Sequence, residues 1–358
     1  MSSNWGNNIK VSLFGESHGM GIGVVIDGLP AGERLDEAAI QKEMNRRAPG
    51  NDPASTARRE EDVPEICSGV LAGVTTGAPL CAIIENTNTR SVDYDKLSRL
   101  PRPGHADYTG ALRYGGFNDV RGGGHFSGRM TAPLSFAGAV CKQILARRGV
   151  RVGGHIYAIG NIFDDPFDPA RIYPEKLAAL SDSLFALLDP SKEERMRAHI
   201  EEARLAEDSV GGIVEVAAIG VPGGVGTPMF GGVENVIASI VFGVPAVKGV
   251  EFGAGFAAAR LRGSENNDPF VTERGKIVTA TNNSGGILGG ITTGMPIVLR
   301  AAIKPTPSIA KQQKTVDLRA GQEALLSITG RHDPCIVPRA LPAIEAAVAI
   351  AILDLMKL

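Results

Sequence analysis

The sequence predicts an α+β protein in which antiparallel sheets pack on helices and the arrangement occurs twice. Three observations predict it. Residues 69–80 read GVLAGVTTGAPL and residues 286–297 read GILGGITTGMPI, identical at seven of twelve positions. Residues 24–32 (VVIDGLPAG) and 216–224 (VAAIGVPGG) are apolar runs ending in a turn of Gly, apolar, Pro, small and Gly; helical stretches follow at Leu35–Arg47 and Val233–Val241. A looser pair, RMTAP (129–133) and RALP (339–342), opens two apolar helices with Pro in the first turn. The pairs keep one order, so the chain reads as a single domain of two duplicated halves related by a pseudo-twofold axis. The halves are roughly 1–150 and 205–358, joined by a charged helical segment at about 150–205. Short Gly-Pro turns favour antiparallel pairing over βαβ crossovers.

Taken in order, Val11–Phe14 reads as a strand that runs into GESHG (15–19), and Met20–Gly28 reads as the next strand. GESHG matches G-x-S-x-G, the nucleophile elbow of serine hydrolases, which needs a strand before it and a helix after it. Here a second strand follows, so GESHG reads as a hairpin tip presenting Ser17 and His18. Asp189–Glu207, with Glu193, Glu194, Glu201 and Glu202, reads as an exposed helix between the halves. The apolar run Ala340–Leu358 carries Glu345 and Asp354, which suits a buried helix and not a membrane span.

The composition, 43% apolar and 21% charged, is that of a globular protein with a substantial core. A formal net charge of −2 gives no reason to expect nucleic acid or an anionic membrane as partner. The first residues lack the basic flank and apolar core of a signal peptide, and a cytoplasmic location is expected. Cys67, Cys81, Cys141 and Cys335 stand far apart without a C-x-x-C pair, which argues against zinc, a metal site of that kind, and a disulfide scaffold. Cys81 and Cys141 lie in apolar runs and read as inert core thiols.

Glycine is in excess, at 45 of 358 residues, and clusters beside His and Arg. Four histidines stand in such loops: His18 in GESHG, His105 in RPGHADYTG, His125 in RGGGHFSGR and His332 in GRHDPC. His155 and His199 lie in an apolar strand-like run and a charged helix and receive no role. Arg46, Arg47, Arg102, Arg121, Arg129, Arg331 and Arg339 lie in or beside the same loops. Guanidinium forks take carboxylate and phosphate in bidentate fashion, so the loops suit a small polyanion. Arg58 and Arg59, beside Glu60-Glu61-Asp62, read as solvated surface. The dinucleotide fingerprint and the P-loop are absent. Ser127 raises a second nucleophile question, and Asp333 reads equally as a loop cap before Pro334 or as a general base.

At these residues the chain resembles one family. GESHG, RRAPG, ENTNTRS, RPGHADYT, RGGGHFSGR, SGGILGGITTG, KPTPSI and GRHDPC, in this order from Trp5 to about Leu355, resemble chorismate synthase. The resemblance implies a fold in which helices are sandwiched between antiparallel sheets, with internal pseudo-symmetry and a homotetrameric assembly. It implies loss of phosphate from 5-enolpyruvylshikimate 3-phosphate to give chorismate, with reduced FMN (FMNH2) required but no net redox change. Whether NADPH reduces the flavin on this chain is left open. By motif, Ser17 and His18 would face the substrate phosphate, with His18 giving a proton to it. His105 would protonate or hydrogen-bond the flavin. Asp333 would work with the flavin to take up the substrate proton. Arg47, Arg102, Arg129 and Arg331 match the anion-clamping arginines. Flavin contacts would fall on His125, Phe126, Ser127, Pro245, Ala246, Gly289, Lys304, Pro305, Thr306, Pro307, Ser308 and Arg331. Ser17 then becomes a hydrogen-bond donor to substrate. Two positions depart from the pattern: Asn51-Asp52-Pro53 stands where many relatives carry a further Arg, and His125 where some carry Arg.

Overall fold

The computed structural model describes residues 3–50, 61–87, 98–328 and 333–357. Arg331, His332, Asn51-Asp52-Pro53, Arg58 and Arg59 lie outside the described residues. In chain order the first part comprises β1 (Asn4–Trp5), β2 (Lys10–Gly15), β3 (Gly21–Asp27), α1 (Glu37–Arg47), β4 (Glu65–Ser68), β5 (Val70–Leu71), β6 (Val74–Thr75), β7 (Leu80–Glu85), α2 (Asp107–Tyr114) and α3 (Thr131–Arg147). There follow β8 (Arg151–Ile159), β9 (Ile162–Phe163), α4 (Pro174–Ser181), α5 (Glu193–Leu205), β10 (Gly212–Ile219), α6 (Val233–Val241), β11 (Val247–Phe252), α7 (Gly263–Asn266), β12 (Phe270–Glu273) and β13 (Lys276–Thr279). The chain ends with β14 (Ile287–Leu288), β15 (Ile291–Thr292), β16 (Ile297–Ile303), β17 (Gln313–Asp317), β18 (Gln322–Leu326) and α8 (Val337–Met356).

Two five-stranded antiparallel sheets form, ordered β1-β2-β3-β7-β4 and β11-β16-β10-β8-β9. Alternation decides their faces: Ile22, Val24 and Ile26 of β3 are buried, as are Leu80, Ala82 and Ile84 of β7. Helix α3 covers the first sheet, α8 covers the second, and α3 packs on α8, with α1 against both. The result is a layered α+β sandwich with the helices inside. The two inner helices meet at Gly138, where an added Cβ would lie 2.1 Å from Ala346 Cβ and 2.3 Å from Ala346 Cα. Only glycine permits that approach.

The two repeated segments fold alike. GVLAGVTTGAPL forms β5–β6 and GILGGITTGMPI forms β14–β15. Thr75 Oγ1 donates to Pro30 O at 2.7 Å and accepts from Glu33 N–H at 2.9 Å. Thr292 Oγ1 likewise donates to Pro222 O at 2.7 Å and accepts from Val225 N–H at 2.9 Å. The segment at about 150–205 differs from the helical linker expected: it opens with β8, a nine-residue strand inside the second sheet, and only α4 and α5 are helical. Its apolar start, RVGGHIYAI, is a buried strand whose charges come later. Pro342 also differs. α8 starts at Val337, so Pro338 occupies the first turn and Pro342 lies inside the helix.

The charges within apolar α8 are paired. Glu345 accepts from Arg46 at 2.7 and 3.0 Å and from Lys142 at 2.5 Å. Burial pushes its pKa up, but the charges of Arg46 and Lys142 outweigh that and hold it at about 2. Asp354 accepts the backbone N–H groups of Asn7, Asn8 and Ile9 at 2.9, 2.5 and 2.8 Å, tying the N-terminal turn to α8. Among the described residues, no helix is long and apolar enough to cross a membrane. The thiol expectation holds for Cys141, which is buried, but Cys81 is only half-buried on β7.

His155, given no role from sequence, is fully buried between two carboxylates. Nδ1 meets Asp164 at 2.9 Å and Nε2 meets Glu215 at 3.0 Å. Glu215 also accepts from Arg300 Nε at 2.8 Å and Phe167 N–H at 2.6 Å. Burial lowers the His155 pKa, but the hydrogen bonds to Asp164 and Glu215 more than offset it, and the net direction is up. The folded protein therefore binds this proton more tightly than the unfolded chain, where histidine titrates at about 6.5. The stabilisation is complete below that value and is lost as pH rises through the folded pKa. Asp164 and Glu215, both lowered, act on the acid side and lose their contribution as pH falls. Melting temperatures from about pH 6 to 9 are expected to fall more steeply in wild type than in His155→Gln. Parallel slopes would contradict the assignment.

Candidate active site

The site forms where the first sheet ends at Gly15, Gly21 and Glu85 and the second ends at Ile303. GESHG is the β2–β3 connection, so no helix follows Ser17. Loop RGGGHFSGR lies against it. Gly122, Gly123 and Gly124 all have positive φ, at 56°, 84° and 53°. A Cβ on Gly122 would come within 2.1 Å of the His18 ring and 2.9 Å of Ser17 Oγ. One on Gly123 would come 3.0 Å from His105 Cε1. The glycines thus let three loops close on one point, and Ser17 N–H donates to Gly124 O at 3.1 Å. His18 Nδ1 stands 3.3 Å from Ser17 Oγ. His125 spends its ring nitrogens on Gly15 O at 2.8 Å and Ser3 Oγ at 2.5 Å. Phe126 packs beneath α2, with its ring centroid 6.2 Å from that of Tyr114.

The RPGHADYT loop is organised by Asp107. Arg102 Nε and Nη2 each donate to its carboxylate at 2.7 Å, and His105 Nδ1 approaches it at 2.6 Å. Burial raises the Asp107 pKa, yet hydrogen bonds from Arg102 and His105 reverse this and hold it well below the usual carboxylate range. The short contact assigns the His105 proton to Nδ1 and leaves Nε2 facing Gly123. Arg102 Nη1 donates to Ser308 Oγ at 3.1 Å, joining this loop to Lys304–Ser308. Lys304 Nζ donates to Gly104 O, Lys304 N–H donates to Ala246 O at 3.0 Å, and Pro307 lies against Gly104. Burial and the neighbouring Lys248 lower the Lys304 pKa. Arg102, expected to clamp substrate, gives Nε and Nη2 to Asp107 and so also orders its own loop.

A second group adjoins the first through Ser127, which accepts from Arg129 N–H at 3.3 Å. Arg129 donates through Nη1 to Asp62, through Nε to Asn86 Oδ1 at 3.1 Å and through Nη2 to Glu85 O at 3.3 Å. Arg47 donates through Nη1 to the other oxygen of Asp62 and through Nε to Thr131 Oγ1 at 3.0 Å. Arg339 Nε donates to Arg47 O at 3.0 Å and its Nη1 to Asp333. Burial, with Arg339 and Arg129 adding repulsion against the attraction of Asp62, lowers the Arg47 pKa to about 10. Its charge is intact at neutral pH.

The structure thus gathers Ser17, His18, Arg102, His105, His125, Phe126, Ser127, Ala246 with Pro245, and Lys304–Ser308, and beside them Arg47, Arg129 and Asp333. It does not bring in Gly289, which sits on the β14–β15 turn at the opposite end of β16 from Lys304. Sequence reading missed two carboxylates. Asp62 was grouped with a solvated acidic run but is buried. Asp107 carried a usable signal, the spacing His105-Ala-Asp107 on a glycine loop.

Imidazoles, a carboxylate and guanidinium groups converging on glycine loops make a cluster chemically suited to a small polyanion. The chorismate synthase family model matches residues 9–357. The chain is 50% identical over 352 residues to a protein named chorismate synthase in Methanocella arvoryzae, covering 98% of this chain and 93% of that one. It is 49% identical to another of that name in Thermococcus kodakarensis, covering 98% and 96%. A crystal structure titled chorismate synthase superposes with a TM-score of 0.77 at 31% identity, covering 98% of this chain and 92% of the other. The chain belongs to the chorismate synthase family. It is a carbon–oxygen lyase that eliminates phosphate from 5-enolpyruvylshikimate 3-phosphate to give chorismate, in a family that works with reduced flavin without net redox change.

Asp62 is the counter-ion of two buried guanidinium groups, and its loss leaves both uncompensated. Asp62→Ala is expected to lower unfolding free energy by about 3–5 kcal/mol in urea titrations. A loss below about 1 kcal/mol, the scale of an exposed pair, would show that the pairing is dispensable.

Proposed function

We propose that the elimination takes place where the GESHG, RPGHADYT and RGGGHFSGR loops meet, with Ser17, His18, His105, Ser127 and Asp333 as its polar groups. The observation that carries this reading is the packing of Gly122 and Gly123 onto the His18 and His105 rings. Arg47 and Arg129, with Arg331 outside the described residues, take the anionic groups of the substrate. Ser17 donates a hydrogen bond and His18 a proton to the leaving phosphate. A protonated imidazole within reach of the leaving phosphate can make that transfer. Asp333, faced by Arg339, accepts the proton that leaves the substrate ring, and Ser127 holds the loop between flavin and arginines.

The flavin cofactor, reduced FMN, is assigned to the Lys304–Ser308 side of this cluster. Thr306 Oγ1 is buried with no hydrogen-bond partner among the described residues, in the same segment as Lys304 and Ser308. Ala246 holds a left-handed φ of 76° next to Lys304, as a residue shaped around a ligand can. Lys304–Ser308, Pro245, Ala246, His125, Phe126 and Ser127 would hold it, with His105 Nε2 toward its ring. When bound, reduced flavin would supply the electron density that phosphate loss demands, without net redox change. The protein's part is to orient two polyanions, exclude water and place protons. The working assembly is a homotetramer in the cytoplasm, without nucleic acid. The exposed Met229 and Phe230, adjacent on one turn, supply apolar surface for such contacts.

Anaerobic assays are expected to give activity only with reduced FMN, and many turnovers for each equivalent of dithionite. Reductant consumed one-for-one with chorismate would overturn the redox-neutral assignment. Repeating the assay with NADPH as reductant shows whether this chain reduces its own flavin. Arg129→Ala removes a charge-assisted contact worth about 1.5–3 kcal/mol, so substrate affinity should fall roughly ten- to hundredfold. Unchanged affinity would remove Arg129 from the clamp. Asp333→Asn should keep flavin and substrate binding but slow proton loss by about two to four orders of magnitude. Deuterium at the abstracted position should then show a larger isotope effect than in wild type. A near-normal rate with an equal isotope effect would make Asp333 a loop cap.

A further inference from the structure

Elimination makes no use of two thiols at the rim of the first sheet. β4 is an outer strand of that sheet, and its pairing with β7 slips between Ile66 and Ser68: Ile66 faces Ala82 and Ser68 faces Cys81. Cys67 is therefore the extra residue of a β-bulge. In a bulge two residues of one strand oppose one residue of the other, so Cys67 and Ser68 together stand opposite Cys81. Directly opposed antiparallel residues have Cα atoms about 4.5–5.5 Å apart. That lies within the roughly 4.4–6.8 Å found between bridged cysteines. Cys67 is exposed and Cys81 partly exposed, whereas Cys141 and Cys335 are buried. The Cys67 sulfur hydrogen-bonds Glu65 O at 3.6 Å, and its thiol lies near enough to Cys81 to contribute to the rise in that thiol's pKa.

We propose that Cys67 and Cys81 form a redox-responsive site at which a small-molecule disulfide installs a cross-strand bond. The Cys67 thiolate, the more accessible, attacks one sulfur of the reagent, which leaves a mixed disulfide and expels one thiolate. The Cys81 thiolate then attacks the Cys67 sulfur and expels the second. Two protein thiols are oxidised to one disulfide, the reagent is reduced to two thiols, and the cysteine protons pass to the departing thiolates. Burial, followed by the nearby Cys67, raises the Cys81 pKa, so Cys81 holds less thiolate and the first attack falls to the more accessible Cys67. The place of the bond matters. β4 follows Asp62 and β7 leads into Glu85 and Asn86, so the bond fastens together the two segments that hold Arg129.

The test is incubation of the full chain with excess oxidised glutathione, acid quenching, thiol titration in denaturant and peptide mapping without reduction. The expected result is a fall from four titratable thiols to two, a mass lower by two hydrogens, a linked Cys67–Cys81 peptide, and recovery of all four with dithiothreitol. Cys81→Ser should accumulate a stable glutathione adduct on Cys67, and Cys67→Ser should lose no pair of thiols. A count that stays at four, a stable adduct on wild-type Cys67 with Cys81 free, or a bridge involving Cys141, Cys335 or a second chain would each overturn the proposal.

Discussion

One buried carboxylate joins α1, α3 and β7 where they meet beside the site. Asp62 holds Arg47 at the end of α1 and Arg129 at the start of α3, and Arg129 in turn reaches Glu85 and Asn86 at the end of β7. Arg339 of α8 binds the Arg47 carbonyl and Asp333. Burying charges is costly unless each finds a partner, and here three guanidinium groups share two carboxylates. The excess of positive charge is fixed at the mouth of the site by the same contacts that fix the helices. Stability and the proposed anion binding therefore rest on one network.

The second constraint is steric. The site needs three loops to converge on the His18 and His105 rings, and the chain achieves this by removing side chains. Gly122–Gly124 take left-handed φ values in succession, and any Cβ on Gly122 would occupy the place of the His18 imidazole. Gly138 applies the same logic inside the sandwich, where it lets α3 and α8 touch. Glycine excess in this composition is thus a record of close approaches.

Local signals in the chain were legible. Alternating apolar runs, Gly-Pro turns and the repeated TTG segment carried the strands, the hairpins and the antiparallel class, because strand periodicity and turn chemistry are set by near neighbours. The histidine loops were legible for the same reason. Charge partners were not. Arg46 finds Glu345 and Arg47 finds Asp62 only when α1 packs between α3 and α8, and no spacing along the chain encodes those meetings. Asp62 was hidden by an acidic run that looked solvated, and His155 by an apolar strand in which a charged pair is unexpected. Arg102 was legible in its loop, but its pairing with Asp107 five residues later was not. The β4 bulge, which aligns Cys67 with Cys81, depends on strand register and left no mark in cysteine spacing.

The most direct test of this account is a crystal structure with 5-enolpyruvylshikimate 3-phosphate and FMN bound. The account predicts an anionic group of the substrate within hydrogen-bond distance of Arg129, its phosphate beside Ser17 and His18, and the flavin against Lys304–Ser308. A substrate whose anionic groups lie away from Arg129 and His18, with Asp62 still the only anion on both guanidinium groups, would contradict it.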